Sequence, residues 1–270
     1  MARGDGIMRK GIVAAIEAAV DEANRQAGIA SAWQTPLVGF ADAGDPLFDE
    51  LPEAIRPSHA LPGDLLPGAR TVIAYFLPFD PAIARSNHRG AFSSEAWAVA
   101  YIETNRLIAS INDRMNTLLE LAGYRGTRLP ATHNFDEEQL MSDWSHKHVA
   151  YIAGIGSFGH HHMLITDKGC CGRLGSVVTD ARIAPTQRTD RERCLFKYDG
   201  SCRKCENRCP AEALGEAPFR RHACYDRLLE NARRHEHLGL ADVCGKCAAT
   251  VPCSFIDPVA RASRKQSVPK

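Results

Sequence analysis

The chain has 270 residues, 44% of them hydrophobic, which is enough for one large core and a small satellite domain. Lys and Arg total 33 against 32 Asp and Glu, so no global basic field recruits nucleic acid, and neither tRNA nor DNA is expected as a partner. No run approaches the roughly 18 apolar residues of a membrane span. Asp5, Glu17, Asp21 and Glu22 interrupt the N-terminal stretch, which therefore lacks the apolar core of a signal peptide. A cytoplasmic protein is expected, with its ten cysteines serving as metal ligands rather than disulfides.

Apolar spacing at Ile12, Ala15, Ile16, Val20 and Ala23 predicts an amphipathic helix over 9–27. Leu37–Ala41 reads as a short strand. Residues 44–70 carry Pro46, Pro52, Pro57, Pro62 and Pro67 and read as a long surface loop with one helical turn. Arg70–Phe79 is β-branched and aromatic, the signature of a buried strand. Ser93–Gly123 is a long helix stopped by its glycine. Thr127–Ala131 reads as a strand, Phe135–Ala153 as a helix ended by Gly154, and Leu174–Asp180 as a strand. Helices alternating with strands up to about residue 190 imply a layered α/β or α+β domain. From Arg191 to Ile256 long apolar periodicity gives way to cysteines, as in a small domain organised by metal sites. Residues 257–270 form a tail whose end, from Arg261, is basic and expected to fray.

Eight cysteines fall within sixty residues in two groups: Cys194, Cys202, Cys205 and Cys209, then Cys224, Cys244, Cys247 and Cys253. Bacterial two-cluster ferredoxins use C-x2-C-x2-C-x3-C-P, with the fourth cysteine ligating the other cluster. Cys202-x2-Cys205-x3-Cys209-Pro210 reproduces the last three cysteines and the proline. Asp199 stands where the first cysteine would be; Cys194, five residues further back, is the expected substitute, because iron in a cubane prefers thiolate to carboxylate. The crossover rule groups Cys194, Cys202, Cys205 and Cys253 on one [4Fe–4S] cluster, and Cys209, Cys224, Cys244 and Cys247 on a second. Two structural zinc sites are the competing reading, since zinc also takes paired C-x2-C. Cys170 and Cys171 stand apart and are expected to form a loop or strand-edge pair without metal.

Ala153–Gly159 reads AGIGSFG. It follows a helix rather than a strand, so it is not a dinucleotide fingerprint. The stretch WSHKHVAYIAGIGSFGHHHMLITDKGCCGRLGSVVTD, followed by CLFKYDGSCRKCENRCPAEAL, resembles the epoxyqueuosine reductase family. That family has an AGLGWIGK-type turn, an apolar LLI segment, an LGE-type strand ending in TD and two ferredoxin motifs. The resemblance covers roughly residues 135–256, with weaker echoes in LLPGARTVIAYFLPF. It implies an α+β fold: a reduced nitroreductase-like cofactor-binding domain over 1–190, then a ferredoxin-like domain over 191–256. It implies that the first domain holds cobalamin rather than flavin, as in the related reductive dehalogenases. Gly154, Gly156 and Gly159 would lie against the corrin. His160, which with His161 and His162 replaces the GK end of the turn, would offer an axial ligand or a proton. Asp143 is the nearest counterpart of the family's catalytic aspartate.

The tRNA-acting members continue into a helical-repeat extension, whereas this chain stops seventeen residues after Cys253, so a short branch with a small-molecule substrate is expected. The function expected is an iron–sulfur reductase. It would be fed by an external donor of ferredoxin or flavodoxin type, and its two clusters would relay electrons to a corrinoid. The alternative is an electron-transfer protein that activates a corrinoid protein or another metalloenzyme. Arg203, Lys204 and Arg208 are a solvated rim in one reading and a dock for an acidic donor in the other.

Overall fold

A computed structural model describes residues 2–132, 135–215 and 218–266. The organising element is the strand β2 (Thr71–Pro78), every residue of which is buried. It is central in a three-stranded antiparallel sheet, between β1 (Leu37–Asp42) and β7 (Gly172–Thr179). Side chains alternate across a strand, so an unbroken apolar run needs cover on both faces. Ile73, Tyr75 and Leu77 face one core, with Val177 from β7; Val72, Ala74 and Phe76 face a second, with Val178.

Two long helices, α1 (Ala2–Arg25) and α5 (Glu95–Leu121), build the first core. Ile12, Ile16, Ala19 and Val20 form the apolar stripe of α1, and Leu107, Ile108, Ile111, Met115 and Leu119 that of α5, both at helical spacing. Ser94 caps α5 by accepting the amide hydrogen of Trp97, and Gly123, at φ +82°, lies just past its end. The second core lies beneath residues 44–70, which are more ordered than a surface loop. They form a 3-10 turn over Pro46–Phe48 and the short helices α2 (Leu51–Ala54) and α3 (Pro62–Leu65), burying Phe48, Leu51 and Leu66. Pro46, Pro52 and Pro62 act as helix starters there, each in a first turn where a missing N–H costs nothing. The short helix α4 (Pro81–Ser86) leads from β2 toward α5.

Two sequence expectations need correction. Residues 127–131 form no strand; the chain only runs beside β7, through a bridge from Gly126 to Thr179 and a hydrogen bond from Thr127 N to Val178 O. Phe135–Ala153 is not one helix. A hairpin of β3 (Phe135–Asp136) and β4 (Met141–Ser142) precedes α6 (His146–Ile152). The cause is local: Asp136 Oδ1 accepts the amide hydrogens of Glu138 and Gln139, and Leu140 turns at φ +55°. A side chain that takes these hydrogens competes with the helix for them.

A second hairpin, β5 (Gly156–Phe158) and β6 (Leu164–Thr166), follows α6. Residues 181–194 contain no helix or strand. Beyond them come α7 (Leu195–Asp199), α8 (Lys204–Asn207), α9 (Arg221–Arg234) and α10 (Pro258–Gln266). The last carries the start of the expected basic tail, whose remaining residues lie outside the described ones. The cysteine-rich segment packs directly on the first core through Val243, Ala248 and Ala249. Lys246, 2% exposed, fastens it: its Nζ donates to the carbonyls of Asn87 (2.9 Å) and Arg89 (2.7 Å), while Asn87 Nδ2 donates to Cys244 O.

Candidate functional site

Cys194 precedes α7, Cys202 and Cys205 flank the start of α8, and Cys253 lies in the turn before α10. The structure gathers these four thiols around one small cavity, closed by His160, His161, Val251 and Pro252. Asp199 is not among them: it is exposed and accepts the amide hydrogen of Ser201. Two of the sulfurs receive hydrogen bonds. The His160 amide donates to Cys194 Sγ at 3.4 Å. His161 Nδ1 accepts the amide hydrogen of Met163, which leaves the proton on Nε2, 3.4 Å from Cys253 Sγ. Burial, reinforced by Cys253, pushes the Cys205 thiol up to about 12. Cys253 moves the other way, because Cys170 and His161 both donate to it.

Cys209, Cys224, Cys244 and Cys247 line a larger cavity of about 470 Å³, within the size range of small-molecule sites. Burial pushes Cys224 up to about 11 and Cys247 well above its ordinary value, each reinforced by its neighbouring thiols. The Ala213 amide donates to Cys209 Sγ at 3.3 Å. The thiols therefore assort by space, not by sequence group: Cys253 joins the first set and Cys209 the second.

The rest of the large cavity is apolar wall, from Trp97, Phe79 and Phe219, with a few polar groups. Tyr101 Oη donates to Asp242 Oδ1 at 2.7 Å, and the Arg173 guanidinium lies 4.2 Å over its ring. Burial raises the Tyr101 pKa, and Arg173 opposes the rise. Lys147, in the first turn of α6, reaches the same wall and donates to the His162 carbonyl at 3.1 Å. Desolvation lowers its pKa, against the pull of Cys224 and Cys247. An adjoining lobe of about 240 Å³ shares Lys147, Cys170 and Arg173 with the main cavity.

The other sequence-named residues lie elsewhere. Asp143 is half-exposed, accepts from Ser58 Oγ at 2.6 Å and pairs with Arg56 at 3.4 Å; it lines neither lobe. Gly154, at φ +76°, ends α6. A Cβ on Gly156 would sit 2.3 Å from Ile165 O, and one on Gly159 would strike His161 and Ile165. These glycines let the hairpin close on itself, and none of them lines the large cavity. His160 is held by Glu206 at 3.3 Å and stacks on Phe196, beside the first thiol set. His162 turns away to Phe219. Cys170 and Cys171 do sit at the edge of β7, but Cys170 is not remote from the thiol sets. Its sulfur, Cys253 Sγ and the His161 ring nitrogen lie within 4.8 Å of one another.

Sequence reading missed Tyr101, Lys147, Arg173 and Asp242 as cavity groups. They come from α5, α6, β7 and the loop before Cys244, and no spacing within the chain marks them. His146, next to Lys147, is neutral and fully engaged: Nε2 donates to Pro130 O at 2.9 Å, and Nδ1 accepts from Ser176 Oγ, which itself accepts from Trp144 Nε1. Burial pushes its pKa down to about 4. Among the described residues no helix is long and apolar enough to cross a membrane.

No family model and no curated protein matches the chain. Solved structures do. The epoxyqueuosine reductase of Streptococcus thermophilus aligns with 19% identity and a TM-score of 0.50, over 87% of this chain and 65% of that one. An epoxyqueuosine reductase solved with an epoxyqueuosine-modified tRNA-Tyr stem loop gives 18% identity and a TM-score of 0.53, over 90% and 66%. A reductive dehalogenase whose structure suggests a mechanism for B12-dependent dehalogenation gives 15% identity and a TM-score of 0.56, over 86% and 32%. The chain thus spans about two thirds of the length of the epoxyqueuosine reductases it matches and about a third of the dehalogenase. This chain has the α+β fold that epoxyqueuosine reductases share with B12-dependent reductive dehalogenases.

Proposed function

We propose that this protein is an iron–sulfur oxidoreductase that passes single electrons through two [4Fe–4S] clusters to a corrinoid in the large cavity, where a small substrate is reduced. The observation that carries this reading is the second thiol set opening onto the cavity. Four soft donors around one space are what a cubane requires. A structural zinc site, by contrast, is closed around one ion and has no use for an adjoining cavity. Cys194, Cys202, Cys205 and Cys253 would hold one cluster, and Cys209, Cys224, Cys244 and Cys247 the other. The apolar walls from Trp97, Phe79 and Phe219 and the second lobe suit a flat macrocycle. A corrinoid bound there would supply low-valent cobalt chemistry.

The chain's own groups do the rest. The aromatic walls exclude water. Tyr101, oriented by Asp242 and Arg173, presents a hydroxyl proton at the cavity, which reduction of an organic substrate consumes. The boundary near residue 190, in the segment without helix or strand, separates a cofactor-binding domain from a ferredoxin-like one in this reading. The test is anaerobic purification from cells supplied with cobalamin, followed by elemental analysis. About eight iron with one cobalt per chain is expected. Iron without cobalt points to flavin or to an electron-transfer protein, and zinc in place of iron removes the redox reading.

A further inference from the structure

Lys147 occupies a place that local physics disfavours. It lies in the first turn of α6, at the positive end of the helix dipole, where a cation is destabilising. Its side chain is half-buried on the wall of the large cavity, and Arg221 adds a repelling positive charge. The one hydrogen bond it makes among the described residues goes to a neutral group, the His162 carbonyl. No carboxylate pairs with it among the described residues. A partly desolvated cation left in such a place without an anion is unfavourable. Cys224 and Cys247 line the same cavity as Lys147, and as thiolates they would favour its charged form.

We infer that Lys147 is the counter-charge of the second thiol set and raises the reduction potential of the cluster held there. The inference rests on the proposed cluster assignment. Four thiolates make such a cluster anionic, and the electron it accepts from an external donor adds one more negative charge without breaking a bond. A fixed ammonium beside two of the ligands favours the reduced form over the oxidised one, and net charge is among the properties that set cluster potentials. Among the described residues no lysine or arginine lines the cavity around the first thiol set. The groups that reach its sulfurs are the His160 amide, His161 and Cys170, and the nearby Glu206 pairs with His160. Lys147 therefore pulls the electron toward the cluster that opens on the cavity.

The test is a dithionite titration with redox mediators, followed by electron paramagnetic resonance, on the anaerobically purified wild type, Lys147→Gln and Lys147→Arg. The second-set signal is assigned by its loss in Cys247→Ala. Gln keeps a donor for the His162 carbonyl but removes the charge; Arg keeps the charge. We expect Lys147→Gln to make reduction of the second-set cluster about tenfold less favourable, a fall of about 59 mV for one electron. The first-set potential should hold, and Lys147→Arg should stay close to wild type. A Gln variant with full iron content and both potentials unchanged overturns the inference, as does an equal fall in both. If the wild type itself lacks about eight iron, the cluster assignment fails and the inference with it. An unchanged potential with full iron refutes only the role of Lys147.

Discussion

The two thiol sets are built from the same ligand type and differ in what surrounds them. The first is sealed: two histidines and two small apolar residues close over it, and its sulfurs receive hydrogen bonds from the His160 amide and from His161. The second is open to a cavity of about 470 Å³, with a lysine close by and a tyrosine–aspartate pair across the space. An enclosed site can hold and pass an electron, whereas one that faces a cavity can deliver it to something bound there. On the proposed reading, electrons would run from the sealed set to the open one. Cys170, whose sulfur touches Cys253 and which lines the large cavity, stands at the junction of the two.

The largest expected effect tests the grouping itself. Cys253→Ala should remove the cluster nearest Cys202 and Cys205 and leave the other, so iron per chain falls by about half. Cys209→Ala should do the same for the second set, although it belongs to the first sequence motif. If Cys253→Ala and Cys244→Ala erase the same paramagnetic signal, the grouping is wrong.

The open set depends on being fastened to the first core, and Lys246 supplies much of that attachment. Lys246→Met strands two carbonyls that now accept charge-assisted hydrogen bonds, at a cost of about 3 kcal/mol. Its urea midpoint should fall, and a chelator should strip iron from the second set sooner than from the first. Equal loss from both would show that the difference in anchoring has no consequence.

Acid sharpens the contrast from the cavity side. His146 must be neutral to donate to Pro130 and accept from Ser176, and its pKa of about 4 lies below the unfolded value of about 6.5. The unfolded chain therefore binds the extra proton. The stabilisation is full above pH 6.5 and is lost as pH falls toward 4, by up to about 3 kcal/mol. His148, also pushed down to about 4, acts in the same window. His146→Gln should flatten part of that acid slope in urea titrations and leave the remainder. An unchanged slope would mean that His146 does not titrate as the geometry requires.

The smallest effect belongs to Asp143. Its half-exposed pair with Arg56 makes Asp143→Asn worth less than about 1 kcal/mol in a urea melt. Iron content and cavity binding should not change. A loss of cofactor would place Asp143 in the site after all.

What the sequence made legible follows from physics that is local or covalently spaced. C-x2-C and C-x3-C-P hold their cysteines within a few residues of one another, so Cys202, Cys205 and Cys209 stood out as candidate ligands. The apolar run of β2 and the stripe of α5 carry their burial in their periodicity. The place of Asp143 was not legible, because proximity in sequence to AGIGSFG is not proximity in space: Ser58 and Arg56 hold it on the outer surface. The glycines were legible as necessary, and what Gly156 makes room for, the carbonyl of Ile165, shows only in the folded chain. Tyr101, Arg173 and Asp242 meet only because three distant elements converge, and nothing in the linear chain announces that. The apparent helix of 135–153 was an averaging error, in which Asp136 redirects the backbone within one turn.

The most direct test of the account is electron paramagnetic resonance, with double integration, on anaerobically purified protein reduced by dithionite. The account predicts about two spins per chain from two clusters, one signal tied to each thiol set through Cys205→Ala and Cys247→Ala, and broadening where the two interact. A single signal, or none in protein that retains metal, would contradict it.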